Sequence, residues 1–415
     1  MKHVRKILMF ASSTLVALTL TSCGEKPNSD AVKAAIEDSE GLTYSEILEK
    51  AKAEIGENQL EVYGNSSNFS LALAKFTEDT GIQVHNNKLG DAAMYEKLTY
   101  TIGNGKYVAD MTLIQDGNKL QTQMLNPGYL YSYTPKDYKD KLSPEDLNPT
   151  GAIYLNKAFM YNNTNFDGTN ASSAVKGAVT NQLTNVWQLA GTAEDANHID
   201  GCSFKPGSQE NVNLNFLAML TSPEWCAKLK TAYKDFYGTD YVEEQDFANI
   251  GYKWIGEFLT NVKTNNSWHS SDGTAVKDIA AGLSGNMVYA NYNKLKDCTE
   301  TGVGKSDKDN ITVADYEGTG VDGFGGFLFK MFTLVPKNAK YPYTACALIN
   351  YVLSTEGYGA AWGGYVGYYS TNPDNAIAEG DKALSWWKKN CVIEDPKYVS
   401  SVYLDVYDYV TSFES

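Results

Sequence analysis

Apolar residues in this chain recur at two spacings, and the alternation between them outlines the fold. Behind Thr43 or Ser45, either of which can cap a helix, Ile47, Leu48, Ala51 and Ile55 fall on one helical face. Leu60-Glu-Val-Tyr-Gly64 reads as a short strand, and the polar loop Asn65-Ser-Ser-Asn68 follows it. Leu71, Leu73, Ala74 and Phe76 predict a helix that stops at Thr80-Gly81. A strand over 82–85, a helix over 92–102 and a strand over 111–114 complete the series, which predicts an α/β sheet of parallel strands. The texture returns later. Strands are expected at 158–161 and 327–336, and helices at 184–190, 216–220, 254–262 and 343–353. Residues 279–289 read as a helix end, a glycine turn and a strand; the Tyr- and Val-rich end from Tyr398 fits either type.

The first residues follow a different pattern. Lys2, His3, Arg5 and Lys6 precede an uncharged run from Ile7 to Leu20. That run is shorter than the roughly 20 apolar residues of a membrane span and fits the core of a secretory signal. Leu20-Thr21-Ser22-Cys23 resembles the lipobox of bacterial lipoprotein precursors. The resemblance implies a signal peptide at 1–22, cleavage before Cys23, and lipidation of its thiol by diacylglycerol carrying palmitate-type chains. A polar tether over 23–42, with room for some helix, would then hold the protein at the extracytoplasmic face of the cell membrane.

With 43% hydrophobic and 12% aromatic residues among 415, the chain can fill real cores, and its length suits more than one lobe. The net charge of −15 argues against a nucleic-acid partner, which would need a basic face, and against a polybasic grip on anionic lipid. Beyond Cys23 the cysteines are Cys202, Cys226, Cys298, Cys346 and Cys391, an odd number without metal-binding spacing. His85, His198 and His269 sit in no hydrolase motif. Neither a catalytic centre nor a cofactor is expected.

Several segments together resemble the extracellular solute-binding proteins of ABC importers, in particular the group that takes iron, polyamines and phosphonates. They are Leu60–Gly64 with Asn65-Ser66-Ser67, then Phe76-Thr-Glu-Asp-Thr-Gly81-Ile82-Gln-Val84, then Ala109-Asp110-Met111 with Gln115-Asp116. Further along come Asp278-Ile-Ala-Ala-Gly282 with Met287-Val-Tyr289, Leu334-Val-Pro-Lys-Asn-Ala339, and Ser354-Thr-Glu-Gly357. The resemblance implies a two-lobed type II periplasmic-binding-protein fold, with mostly parallel sheets flanked by helices and a cleft that closes by hinge motion. Lobe one would comprise 43–157 plus 290–337, and lobe two 158–289 plus 338–415. The chain would cross between them near 158–162 and 289–292.

In open α/β sheets ligands bind beyond the carboxyl ends of strands, where loops meet helix N-termini. That rule selects Asn65, Ser66, Ser67, Gln115 and Asp116, for which helix capping is the competing role. Trp268, in an aromatic-polar loop through His269 to Asp272, could stack on a ring or fill a core. The resemblance adds Asn291 and Tyr292 at the return to lobe one, and Tyr368 lies in a Gly-rich turn. Expected partners are an ABC permease, the membrane through lipid, and a small solute: a sugar, a phosphonate or other organic ester, or a polyamine. Ferric iron is disfavoured because the tyrosines its relatives place side by side are here Tyr289 and Tyr292, split by Ala-Asn. The rival classes are a lipid-anchored carbohydrate-active enzyme, which would need two carboxylates roughly 5–10 Å apart, and a surface adhesin.

Overall fold

The structure is a computed structural model, and it describes residues 29–163, 183–192, 194–195, 197–284 and 287–414. The expected signal peptide and Cys23 lie outside these residues. Helix α1 (Ser29–Ser39) opens the described chain and α2 (Tyr44–Ile55) follows, its Thr43 and Glu46 forming a reciprocal capping box. The next elements are β1 (Gln59–Gly64), α3 (Phe69–Thr80), β2 (Gln83–Lys88), α4 (Asp91–Gly103) and β3 (Met111–Ile114). Gly81 ends α3 at φ 81°, a left-handed position that suits a residue without Cβ. Then come the single turn α5 (Gly117–Lys119), the edge strand β4 (Leu130–Ser132) and the long β5 (Gly151–Asn162).

The second half contains α6 (Asn211–Leu220), α7 (Pro223–Tyr237), α8 (Ile250–Thr264), α9 (Asp272–Ala280), β6 (Met287–Asn291) and β7 (Ile311–Val313). After β8 (Gly326–Pro336) come α10 (Pro342–Leu353), α11 (Thr355–Ala361) and β9 (Tyr368–Ser370). The chain closes with α12 (Leu384–Asn390), β10 (Val392–Ile393) and α13 (Pro396–Glu414). None of the described helices is long and apolar enough to cross a membrane.

Two strands hold the halves together. β5 and β8 run antiparallel, with Leu155 opposite Phe329, and every residue of both is buried. At one end of this pair, β8 continues the sheet β2-β1-β3 through Leu334 opposite Thr112. At the other end, β5 pairs with β6 through Phe159 opposite Tyr289, and β8 pairs with β10. The expected parallel pairing is present in β2-β1-β3 and in β8-β10, while the crossing strands and their other partners are antiparallel. Gly326 marks the closest approach, since a Cβ there would collide with the carbonyl of Lys157.

Three sequence expectations need correction. Within the expected tether the described residues hold a packed helix: Val32, Ala35, Ile36 and Ser39 of α1 are buried, and α1 lies against α10. The expected lobe-two segment after 337 begins in the first lobe, because α10 packs on α2 and α11 on α3. Residues 290–313 belong on the opposite side, since the turn at 292–297 packs on α9 and β7 pairs with the end of β5. The ambiguous terminus is α13, which rests on α6 and α8 and also reaches α5.

Candidate functional site

Three loops of the first lobe converge beyond the ends of β1 and β3. Asp91 is the first residue of α4, where the helix N-terminus favours a carboxylate. It accepts from Asn65 Nδ2, and from Gln115 Nε2 at 2.6 Å. The Tyr95 hydroxyl donates to the carbonyls of Gln115 (2.8 Å) and Asp116 (2.9 Å), which fixes the loop after β3. Asp116 sits at φ 66°, uncommon for a residue with a Cβ, and is only 1% exposed. One of its oxygens accepts from the backbone of Lys119 (3.3 Å) and from Asn215 Nδ2 of α6 (3.1 Å); the other has no partner among the described residues. The same Asn215 nitrogen donates to Glu394 at 2.7 Å, so two buried carboxylates meet on one amide.

Enclosure shifts these acids. Burial pushes Asp91 up to about 7 although it keeps some surface; Asp116 and Glu210 add repulsion, against the hydrogen bonds from Gln115 and Asn65. Asp116 rises to about 6, chiefly by burial, with Asn215 and Lys119 opposing. Glu394 rises to about 8 through burial and the neighbouring Asp116.

The facing wall comes from the second lobe. Ser271 caps α9, and the next residue, Asp272, is buried. Its carboxylate accepts from the Asn291 backbone (3.0 Å) and from Asn291 Nδ2 (2.9 Å), and Lys157 Nζ lies 3.0 Å away. Burial alone would raise the Asp272 pKa; Lys157, the Asn291 N–H and His269 outweigh it and hold it low. Burial pushes His269 down to about 4, so its ring is neutral near pH 7. Lys205 pairs with Glu210 at 2.9 Å. Lys205, Glu210, Ser271, Asp272, Asn291 and Lys294 border a cavity of about 480 Å³. Glu210 acts on both Asp91 and Asp116, which ties this wall to the first. Another cavity, also about 480 Å³, lies along α8 against Phe247, Tyr409 and Phe413, and none of these groups borders it.

The structure brings Asn65, Gln115 and Asp116 together on one wall and puts Asn291 on the other. Ser66 instead accepts from the indole of Trp362 (3.3 Å), while Ser67 is exposed and its carbonyl accepts from Ser70 Oγ. Neither serine caps α3, whose N-cap residue is Asn68. Trp268 is half-buried against Phe204 and borders, with His269, a neighbouring cavity of about 540 Å³. Tyr292 and Tyr368 are buried: Tyr292 packs on Trp387 (5.5 Å), and Tyr368 carries its ring beside Ser66. Tyr289 stacks on Phe216 in a different core from Tyr292, so these two tyrosines do not form a joint ligand pair. Sequence reasoning missed Asp91, Lys157, Lys205, Glu210, Asn215 and Glu394. Only Asp91 carried a local signal, as an acid ahead of a helical pattern.

No protein-family model matches the chain, and no curated protein does. Solved structures do. Iron-bound HitA from Pseudomonas aeruginosa superposes with a TM-score of 0.60 at 19% identity, over 85% of this chain and 99% of that one. The spermidine/putrescine ABC-transporter substrate-binding protein PotD from Streptococcus pneumoniae gives 0.54 at 16%, over 86% and 99%. The Atu4243-GABA receptor gives 0.56 at 16%, over 86% and 98%. Two halves joined by β5 and β8, polar walls facing each other at strand ends, and these superpositions lead to one conclusion: the chain has the two-lobed type II periplasmic-binding-protein fold.

Proposed function

We propose that the protein is the lipid-anchored, solute-binding component of an ABC importer, taking a small polar molecule between its lobes and delivering it to a membrane permease. The observation that carries this reading is the concentration, where the lobes meet, of buried polar atoms without hydrogen-bond partners among the described residues, among them Asn65 Oδ1, Asp116 Oδ2, Lys157 Nζ, Asp272 Oδ1 and Asn291 Oδ1. Leaving such a group unsatisfied costs roughly 1–3 kcal/mol, so several together suit a site whose partners arrive with a ligand. The solutes named for similarly folded proteins, iron, spermidine or putrescine and GABA, are all small and support capture rather than turnover. Asn65, Asp91, Gln115 and Asp116 would contact the solute from one side, with Asp272 and Asn291 on the other; Ser66, Ser67, Trp268, Tyr292 and Tyr368 would shape the margins. β5 and β8 would serve as the hinge.

A thermal-shift screen of sugars, amines, phosphonates and ferric chelates, followed by X-ray scattering, tests this reading. A true solute at a hundredfold excess over its Kd adds about 2.7 kcal/mol and should shrink the scattering radius. No shift and no change in radius with any class would overturn it. The anchor has a separate test: Cys23→Ser should move the protein from membranes to the soluble fraction, because lipid anchoring gains about 0.8 kcal/mol per buried CH₂. Retention on membranes would refute lipidation.

A further inference from the structure

The side-chain amides of this site are not free to turn. Asn65 gives its NH₂ group to Asp91, Gln115 gives its own to the other oxygen of Asp91, and Asn291 gives its to Asp272. An amide whose nitrogen is committed to a carboxylate must present its oxygen elsewhere. The carbonyl oxygens of Asn65 and Asn291 are buried and have no partner among the described residues. The second oxygens of Asp116 and Asp272 are likewise unpaired, and both residues are more than nine-tenths buried. On both walls, therefore, the unused positions of these Asn and Asp side chains are hydrogen-bond acceptors. Cations also stand here: Lys205 Nζ pairs with Glu210 at 2.9 Å, Lys157 Nζ lies 3.0 Å from Asp272 without a hydrogen-bond partner among the described residues, and Lys277 and Lys294 border the cavity, so acceptors dominate the Asn and Asp positions rather than the whole lining.

Resting on the solute-binding reading above, we propose that the solute is a small organic cation rich in N–H donors, an ammonium or guanidinium compound, and that Asp91 and Asp272 set this specificity by locking amide oxygens toward it. The carboxylates have two tasks. They supply negative potential, and they hold Asn65, Gln115 and Asn291 in the acceptor-outward orientation. A phosphonate or other anion without N–H groups would meet acceptors on both walls. A neutral sugar could use the acceptors but would gain nothing from the charge.

The sign of the pH dependence separates these classes. Asp91 is faced by the neutral amides of Asn65 and Gln115, by Tyr95 on its own helix, by Asp116 from the loop after β3, and by Glu210 across the cleft. Asp116 is faced by Asn215 of α6, Lys119 on its own turn, Glu210, and Glu394, which is itself raised to about 8. The values of about 7 for Asp91 and about 6 for Asp116 leave both partly protonated at mildly acid pH. A bound cation draws the proton off, so its affinity should rise about tenfold between pH 6 and pH 8.

The test is isothermal titration calorimetry at pH 6 and pH 8 with 1,4-diaminobutane, agmatine, γ-aminobutyrate, methylphosphonate and glucose. Binding of an amine or guanidine, tighter at pH 8 and weakened about tenfold in both Asp91→Asn and Asn291→Ala, each variant still melting cooperatively before ligand is added, is the expected result. Binding of methylphosphonate or glucose in preference to every cation would overturn the inference while leaving solute capture intact. Cation binding that weakens as pH rises, or that is unaffected in Asp91→Asn, would also overturn it. Silence from all five probes, with no shift across the wider thermal screen, would remove the solute-binding reading itself.

Discussion

Lys157→Met should destabilise the second lobe severely, and a second substitution should reverse most of the damage. Lys157 lies in the middle of β5, opposite Phe327 on one side and Asn291 on the other, and its side chain is fully buried. Its ammonium is 3.0 Å from Asp272, itself buried at the start of α9. At an effective dielectric of about 20, two unit charges at this distance attract by about 5 kcal/mol. Much of that attraction offsets the cost of taking both charges out of water. Removing one partner leaves the other charged and enclosed, for a net loss of about 3–5 kcal/mol. Asp272 would keep both hydrogen bonds from Asn291, which places the expectation toward the lower end of that range.

In the double variant Lys157→Met/Asp272→Asn no charge is left stranded, and stability should return to within about 1.5 kcal/mol of the parent. Urea unfolding followed by tryptophan fluorescence measures this, since Trp187 and Trp254 are buried in the same lobe. The pH course adds a check. Asp272 is held below its usual pKa, so its contribution is present above about pH 4 and is lost as pH falls through the folded-state value. In Lys157→Met that carboxyl is raised instead, and the gap between parent and single variant should narrow as the medium becomes acid. A loss under 1 kcal/mol, or a double variant weaker than the single, would refute the claim that this pair is electrostatically coupled.

Other consequences are checked more directly. Glu394, Asp91 and Asp116 all titrate above their ordinary values, so the unliganded protein should lose stability as pH rises from about 4.5 toward 8, and Glu394→Gln should flatten that slope in thermal melts taken across the range. Gly326→Ala puts a methyl group against the backbone carbonyl of Lys157, which cannot rotate away; a loss of at least 1–3 kcal/mol in urea titration is expected. Cys202, Cys298, Cys346 and Cys391 are buried free thiols, with burial raising the pKa of each, so a thiol reagent should leave them unmodified in native protein and label them on unfolding.

Local order was legible wherever a short-range pattern had a physical stop. β1, α3 and β3 stand where alternation, helical spacing and Gly81 put them, because each is decided by neighbours within a turn or two. The helix α1 was also written in the chain, in the spacing of Val32, Ala35, Ile36 and Ser39, but its charged residues drew the reading toward a tether. Lobe membership was not legible in the same way. α10 is buried nearly all round, and nothing in such a helix says that its cover will be α2, nearly 300 residues earlier.

The site divides along the same line. Asn65, Gln115 and Asp116 could be chosen because a strand end followed by a helix is a local event that points polar groups outward. What makes them more than helix caps is supplied from far away: Asn215 bonds Asp116 from another lobe, and Glu394 shares that amide from the last part of the chain. α13, which begins two residues after Glu394, lies on α6 and α8 of one lobe and on α5 of the other. The Asp116–Asn215–Glu394 contact thus sits at the point where any movement of α6 relative to α5 must be taken up. Burial raises both carboxylates, with Asp116 adding repulsion at Glu394, and the Asn215 NH₂ group has one N–H for each. The chemistry that orders the cleft wall and the mechanics that hold the lobes together therefore depend on the same three side chains.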